Sequence, residues 1–204
     1  MKCEAEIKEQ LISNAIRLIA EGGFEKATTK ELAYCSGHLQ NIKMNEVYIY
    51  RLFGNKERLY GAAFRKLDLE LFHSFRNGEE SIGNFNSTAK EYFFEIFSRV
   101  WKFILNNEEH CRFYVRYYYS IYFKGDSLEA HTKLFRDMIA ELATFFKEEA
   151  DVTSILHSVF TTMLNFAIRV YNGELGDNEQ NRTHVFHILY CMIMTYFKDP
   201  AKTI

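Results

Sequence analysis

Apolar residues recur at Ile7, Leu11, Ile12, Ala15, Ile16, Leu18 and Ile19, the three-four spacing that lays one face of an α-helix against a core. The spacing predicts a helix over 7–20, stopped by Gly22 and Gly23, which accept the left-handed backbone of a helix end. Phe24 follows as a plug into the local core. A second, short helix is expected from "KATTKELA". There Thr28 or Thr29 caps the first turn and Glu31 stands three residues after Thr28, as in a capping box. It is expected to end near Ser36-Gly37.

No clear period runs through residues 38–43, "HLQNIK". Asn45 then opens a third helix through about Leu52, with Val47, Ile49 and Phe53 turned inward and Asn45, Glu46, Tyr48, Tyr50 and Arg51 left for solvent or a ligand. Gly54 breaks it. Asn55 caps a long fourth helix over 55–77, whose apolar positions are Leu59, Ala62, Ala63, Leu67, Leu71 and Phe75. After the loop "RNGEESIGNFNST", five more helices are expected near 86–106, 108–123, 127–149, 151–173 and 180–198. The pattern is all-α, about nine helices in total.

Composition sharpens this picture. Hydrophobic residues make up 48% of the 204, aromatics 16%, and Pro200 is the single proline, so helices meet few interruptions. The net charge of -2 excludes a chain-wide cationic surface; a nucleic-acid or anionic-lipid partner needs a local patch. Cys3, Cys35, Cys111 and Cys191 form no CxxC pair. No amino-terminal stretch has a signal peptide's basic start and apolar run, and none reaches about eighteen uninterrupted apolar residues, so the expectation is a cytoplasmic protein off the membrane.

Three helices, the second and third short and joined by a break, form the pattern of a helix-turn-helix unit buttressed by the first helix. In that geometry the third helix enters the major groove of double-stranded DNA, presenting polar or flat side chains to base edges and donors to phosphates. Tyr48 and Tyr50 stand about 200° apart around a helix and so cannot share a stripe. One suits a base or sugar, the other a phosphate. Lys56 sits where its ammonium and the free N–H groups of a helix start can hold a phosphate together.

The segment "LISNAIRLIAEGGFEKATTKELA", followed by "MNEVYIYRLFGNKERLY", resembles the DNA-binding domain of the TetR family of transcriptional regulators. The matching elements are the Gly-aromatic turn, the paired threonines, the "LA" pair, the aromatic "YxxF" and the following "NKE", over roughly residues 7 to 60. The resemblance implies an amino-terminal three-helix domain over 1–54 that binds DNA. A larger helical domain over 55–204 would bind an effector and dimerise, with the helix at 55–77 linking the two. It implies phosphate contacts for Thr29, Lys30, Tyr50 and Lys56, and a groove-facing surface of Asn45, Glu46, Tyr48 and Arg51, with Arg51 suited to a guanine. The chain departs from the family by about six extra residues in the turn, His38 to Lys43, by Leu52 where an aromatic or His is common, and by Val47 where Gly is common.

Residues 86–123 are densely aromatic, from Tyr92 and Phe93 through Trp101 to Tyr122 and Phe123. Most are expected in the core, and a subset suits a small apolar or aromatic effector, whose ligand residues the pattern does not name. The helices near 151–173 and 180–198 carry more apolar surface than one core consumes, which points to a homodimer through them and to a pseudo-palindromic operator. The expected function is thus a ligand-responsive repressor. The alternative is a helical partner-binding or sensor module that has lost sequence-specific DNA binding.

No enzyme is expected. A di-iron bundle needs two ExxH motifs and the chain has one, Glu70 with His73; His184 and His187 lack a carboxylate in register. P-loop, GxGxxG and GxSxG signatures are absent. Neither cofactor nor metal site is expected.

Overall fold

The computed structural model describes residues 4–34, 45–76 and 88–198. Its helices are α1 (Glu4–Gly22), α2 (Thr29–Tyr34), α3 (Val47–Phe53), α4 (Lys56–Phe75), α5 (Ala89–Asn106), α6 (Glu108–Tyr118), α7 (Asp126–Ala143), α8 (Val152–Tyr171) and α9 (Glu179–Met194). Among the described residues there is no strand, only an isolated antiparallel bridge between Phe146 and Phe197. No described helix is long and apolar enough to cross a membrane. The expected cap at Ser36-Gly37, the extra turn residues His38 to Lys43 and most of the loop after α4 lie outside the described residues.

The chain packs as two compact units, Met1–Leu69 with Glu108–His131, and Glu70–Asn107 with Thr132–Ile204. In the first, α1 lies along α6 and touches α2 and α3, which also touch each other. Leu11, Ile16 and Ile19 of α1, Leu32 of α2, Ile49 of α3 and Leu59, Tyr60 and Phe64 of α4 are buried together with Phe113 and Tyr117 of α6. Phe24 plugs the turn after α1, its ring 5.4 Å from Tyr60 and 4.8 Å from Tyr122.

Two polar side chains inside this unit fasten the short helices. Asn14 stands in the apolar face of α1, where its amide donates to Leu32 O at 2.7 Å and its oxygen accepts from Gln10. That ties α2 to α1, since a buried amide left unpaired costs on the order of 1–3 kcal/mol. The Tyr60 hydroxyl donates to Ala27 O at 2.7 Å and so pins the α1–α2 connection to α4. Burial, with Tyr122 and Glu57 nearby, pushes that phenol well above its usual range.

A third buried group joins three helices. Asp68 of α4 accepts from the Tyr114 hydroxyl of α6 at 3.2 Å and from His131 Nδ1 of α7, which lies 3.0 Å from each carboxylate oxygen. The imidazole stands edge-on to Tyr118 and Phe123, with ring centroids 5.7 and 5.6 Å away. Burial first, and Asp68 second, hold the Tyr114 phenol in its neutral donor form.

The second unit is an aromatic bundle. Phe97 stacks on Trp101 within α5, and Phe94 and Phe97 meet Phe186 of α9 at 4.9 and 5.4 Å. Thr88 and Glu91 complete a capping box at α5, while Asp151 and Asn178 cap α8 and α9. Arg76, just past α4, donates twice to Glu141, at 3.1 and 3.0 Å, and Arg99 donates to Phe75 O at 3.0 Å.

Three helices end before the periodicity suggests, α9 among them, at Met194 where 198 was expected. The expected 108–123 helix stops at Tyr118 because Ser120 folds back, donating to Tyr117 O and accepting from Tyr122 N. The expected 127–149 helix stops at Ala143, where Phe146 leaves the spiral to pack on Phe93 and Phe197. Lys147 N then donates to Tyr196 O and Lys198 N to Phe145 O.

Candidate nucleic-acid interface

The starts of α2 and α4, with α3 and the two residues before it, carry every residue expected at DNA. Thr28 caps α2 by accepting from Glu31 N at 3.2 Å, and its hydroxyl donates to the Glu31 carboxylate. This is half of a capping box, with the acid turned to the hydroxyl in place of the backbone. Thr29, the first residue of α2, donates from its hydroxyl to Glu46 Oε2 at 2.7 Å. That bond fixes the beginning of α3 to the beginning of α2, so Thr29 and Glu46 are partners in the free protein. Lys30 stands exposed beside them.

Asn45 accepts from Val47 N at 3.1 Å and so initiates α3, and Glu46 at the cap position makes no side-chain capping bond. Ile49 and Phe53, four residues apart, form the inward stripe. Val47 corrects the sequence expectation: it is 65% exposed, not buried. The reason is geometric. At about 100° per residue Val47 lies about 200° from Ile49, and a seven-residue helix has room for one inward stripe only.

The tyrosines of this segment take three different roles. Tyr60 is core, Tyr50 is 54% exposed, and Tyr48 is half-buried with the Arg51 guanidinium 4.8 Å above its ring centroid. Gly54 ends α3 at φ 84°, a left-handed conformation that favours glycine, with its N–H on Tyr50 O. Asn55 caps α4 by accepting from Arg58 N at 2.8 Å. Lys56 therefore occupies the first turn of α4, half-buried, and Arg58 stands exposed two residues on, past Glu57.

The charge balance of the surface follows from these bonds. Glu31 and Glu46 are turned onto the hydroxyls of Thr28 and Thr29. Lys30, Arg51 and Lys56 have no carboxylate partner among the described residues. A chain of net charge -2 thus carries, on its first helices, three cations without a carboxylate partner, with tyrosine and asparagine on the same elements and Glu57 exposed beside Lys56. Such cations suit phosphates and base edges, both rich in acceptors.

Sequence reasoning did not single out Asn14 or Lys8, whose ammonium lies 5.9 Å from the Phe53 ring centroid. An asparagine on the apolar face of α1 was the available signal for the first. Nothing local announces the second. Among the described residues no group of three or more His, Cys, Asp or Glu is placed to hold a metal ion.

No family profile and no curated protein matches the sequence. Solved structures do match the fold. A TetR family transcription regulator from Marinobacter aquaeolei VT8 superposes with a TM-score of 0.74 at 13% identity, covering 92% of this chain and 95% of the other. A regulator described as putative TetR family, from Shewanella sp. PV-4, gives 0.72 at 14% identity, covering 92% and 96%. The chain has the TetR regulator fold. The transcriptional regulator FadR of Bacillus subtilis, solved in complex with stearoyl-CoA, shares it at 0.60 and 17% identity, over 89% of this chain and 96% of that one.

Proposed function

We propose that the protein is a cytoplasmic, DNA-binding transcription regulator. It binds a pseudo-palindromic operator as a homodimer and releases it when a small apolar or aromatic effector enters the larger domain. The observation that carries this reading is the outward face of α3 with the starts of α2 and α4, where Lys30, Arg51 and Lys56 have no carboxylate partner among the described residues and Glu31 and Glu46 are tied to threonines. In this reading residues 1–54 bind DNA and 55–204 bind effector and partner. Asn45, Tyr48 and Arg51 face the groove with Glu46 beside them, while Thr29, Lys30, Tyr50 and Lys56 hold phosphates.

Support for the dimer comes from α8 and α9. Val159 of α8, and Ile188 and Met192 of α9, remain only half-buried within the single chain. Two copies joined there form a four-helix interface. Support for an effector is the aromatic bundle around α5, together with a protein of the same fold that was solved with an acyl-CoA. Effector binding acts through α4, which holds residues of both compact units; only a difference in effector affinity between two positions of α4 shifts the DNA equilibrium.

The phosphate assignments are tested by salt dependence. Lys56→Ala lowers affinity for specific and nonspecific duplexes alike and flattens the plot of log affinity against log salt by about one unit. Tyr50→Phe weakens both kinds of duplex without changing the slope, because it removes a neutral donor. Fluorescence anisotropy from low to high salt checks both. A loss confined to one sequence contradicts the phosphate roles, and a wild-type chain that binds no duplex at low salt contradicts the function itself.

A further inference from the structure

We infer that Tyr48 is a positioning residue for Arg51: its ring holds the guanidinium flat so that the edge of that group reads a guanine in the major groove. This deepens the DNA-binding reading above and rests on it.

The two residues stand three apart on α3, the spacing at which helical side chains meet, and the guanidinium carbon lies 4.8 Å from the Tyr48 ring centroid. A guanidinium centred over an aromatic ring in this way stacks through its planar face. Its N–H donors radiate from the edge, in the plane of the group, and stay available. A guanine offers O6 and N7 side by side in the major groove, a pair that such an edge matches with two hydrogen bonds. Stacking on an aromatic face thus orients Arg51 without consuming what it needs for recognition.

Three further observations favour this role over direct base contact by Tyr48. Tyr48 is half-buried while Arg51 is exposed, so the ring is the anchored member of the pair. Arg51 has no carboxylate partner among the described residues that could turn it away from DNA. Glu46, the acid nearest in sequence, accepts the Thr29 hydroxyl. The rigid ring substitutes for the carboxylate that often holds an arginine in place, and leaves its charge unneutralised.

The test is selection from random duplex DNA with the full-length chain and four variants: Tyr48→Phe, Tyr48→Leu, Arg51→Ala and the double variant Tyr48→Leu with Arg51→Ala. Wild type enriches a motif with a guanine in each half-site, and Arg51→Ala loses the preference at that base. Tyr48→Phe keeps it. Tyr48→Leu retains the motif but discriminates that guanine about threefold to fivefold less well, and adds nothing further when Arg51 is already alanine. Should Tyr48→Leu fail to fold, as judged by its thermal midpoint, Tyr48→Gln takes its place.

Full discrimination in Tyr48→Leu overturns the inference. So does a loss in Tyr48→Phe equal to that in Tyr48→Leu, which makes the hydroxyl the acting group, or a loss spread evenly over all sequences, which makes Tyr48 a phosphate contact. A motif untouched by Arg51→Ala also overturns it while leaving DNA binding intact. A wild-type chain that enriches no motif is the separate failure of the DNA-binding reading.

Discussion

Replacing Asp68 with alanine is expected to lower the unfolding free energy by about 3 kcal/mol, the scale for removing a buried charged acceptor that holds two hydrogen bonds. Asp68 is 2% exposed and lies midway along α4. Its carboxylate is the acceptor that the Tyr114 hydroxyl and the His131 imidazole share. Alanine removes that acceptor, so the buried Tyr114 hydroxyl and the His131 imidazole, 20% exposed, both lose the bond and α4 loses this polar tie to α6 and α7. Tyr114→Phe removes one donor and leaves the His131 pairing, so its cost falls to about 1 kcal/mol. Urea unfolding followed by circular dichroism compares the three proteins. Equal stability of wild type and Asp68→Ala contradicts the account of this cluster.

The second large effect concerns assembly. Ile188→Asp places a carboxylate on the half-exposed stripe of α9 while leaving Phe186, Leu189 and Ile193 on the inward face. Desolvating an unpaired charge is unfavourable enough to prevent two such faces from meeting. The variant is expected to be a folded monomer by sedimentation. Its operator affinity should fall at least about a hundredfold, because linking two binding modules ordinarily gains about 10²–10⁴ over either alone. The thermal midpoint should match that of wild type diluted to its monomer, since the position is partly in water in the single chain. A dimer with unchanged operator affinity excludes this face as the interface.

How far the sequence foretold the molecule depends on the distance over which each feature is decided. The course of α1 was legible because Ile7, Leu11, Ile12, Ala15, Ile16 and Ile19 repeat at helical spacing and all are buried. The break between α3 and α4 was legible because Gly54 and Asn55 act within a few residues of themselves. The early end of α7 was hidden, because Phe146 leaves the helix to meet Phe197, about fifty residues later in the chain. The role of Tyr60 was hidden for the same reason, since its hydroxyl donates to Ala27 O, thirty-three residues earlier in the chain.

The candidate site divides in the same way. That Thr29, Lys30 and Lys56 stand at helix starts and Tyr50 and Arg51 on α3 followed from caps and periodicity. What they do to one another did not. The Thr29–Glu46 bond and the Tyr48–Arg51 stack depend on side-chain directions that spacing alone leaves open. Val47 was misplaced because an apolar residue in a short helix was assigned to the core by type; position around the axis decides it.

The central claim is that two copies of α3 present their outward faces to one duplex. Selection of random duplex DNA by the wild-type chain, followed by sedimentation of the protein on the selected fragment, measures this most directly. The account predicts a motif with two-fold symmetry, half-sites about one helical turn or a small multiple apart, bearing at least two protein chains. A single asymmetric site holding one chain, or no enrichment at low salt, contradicts it.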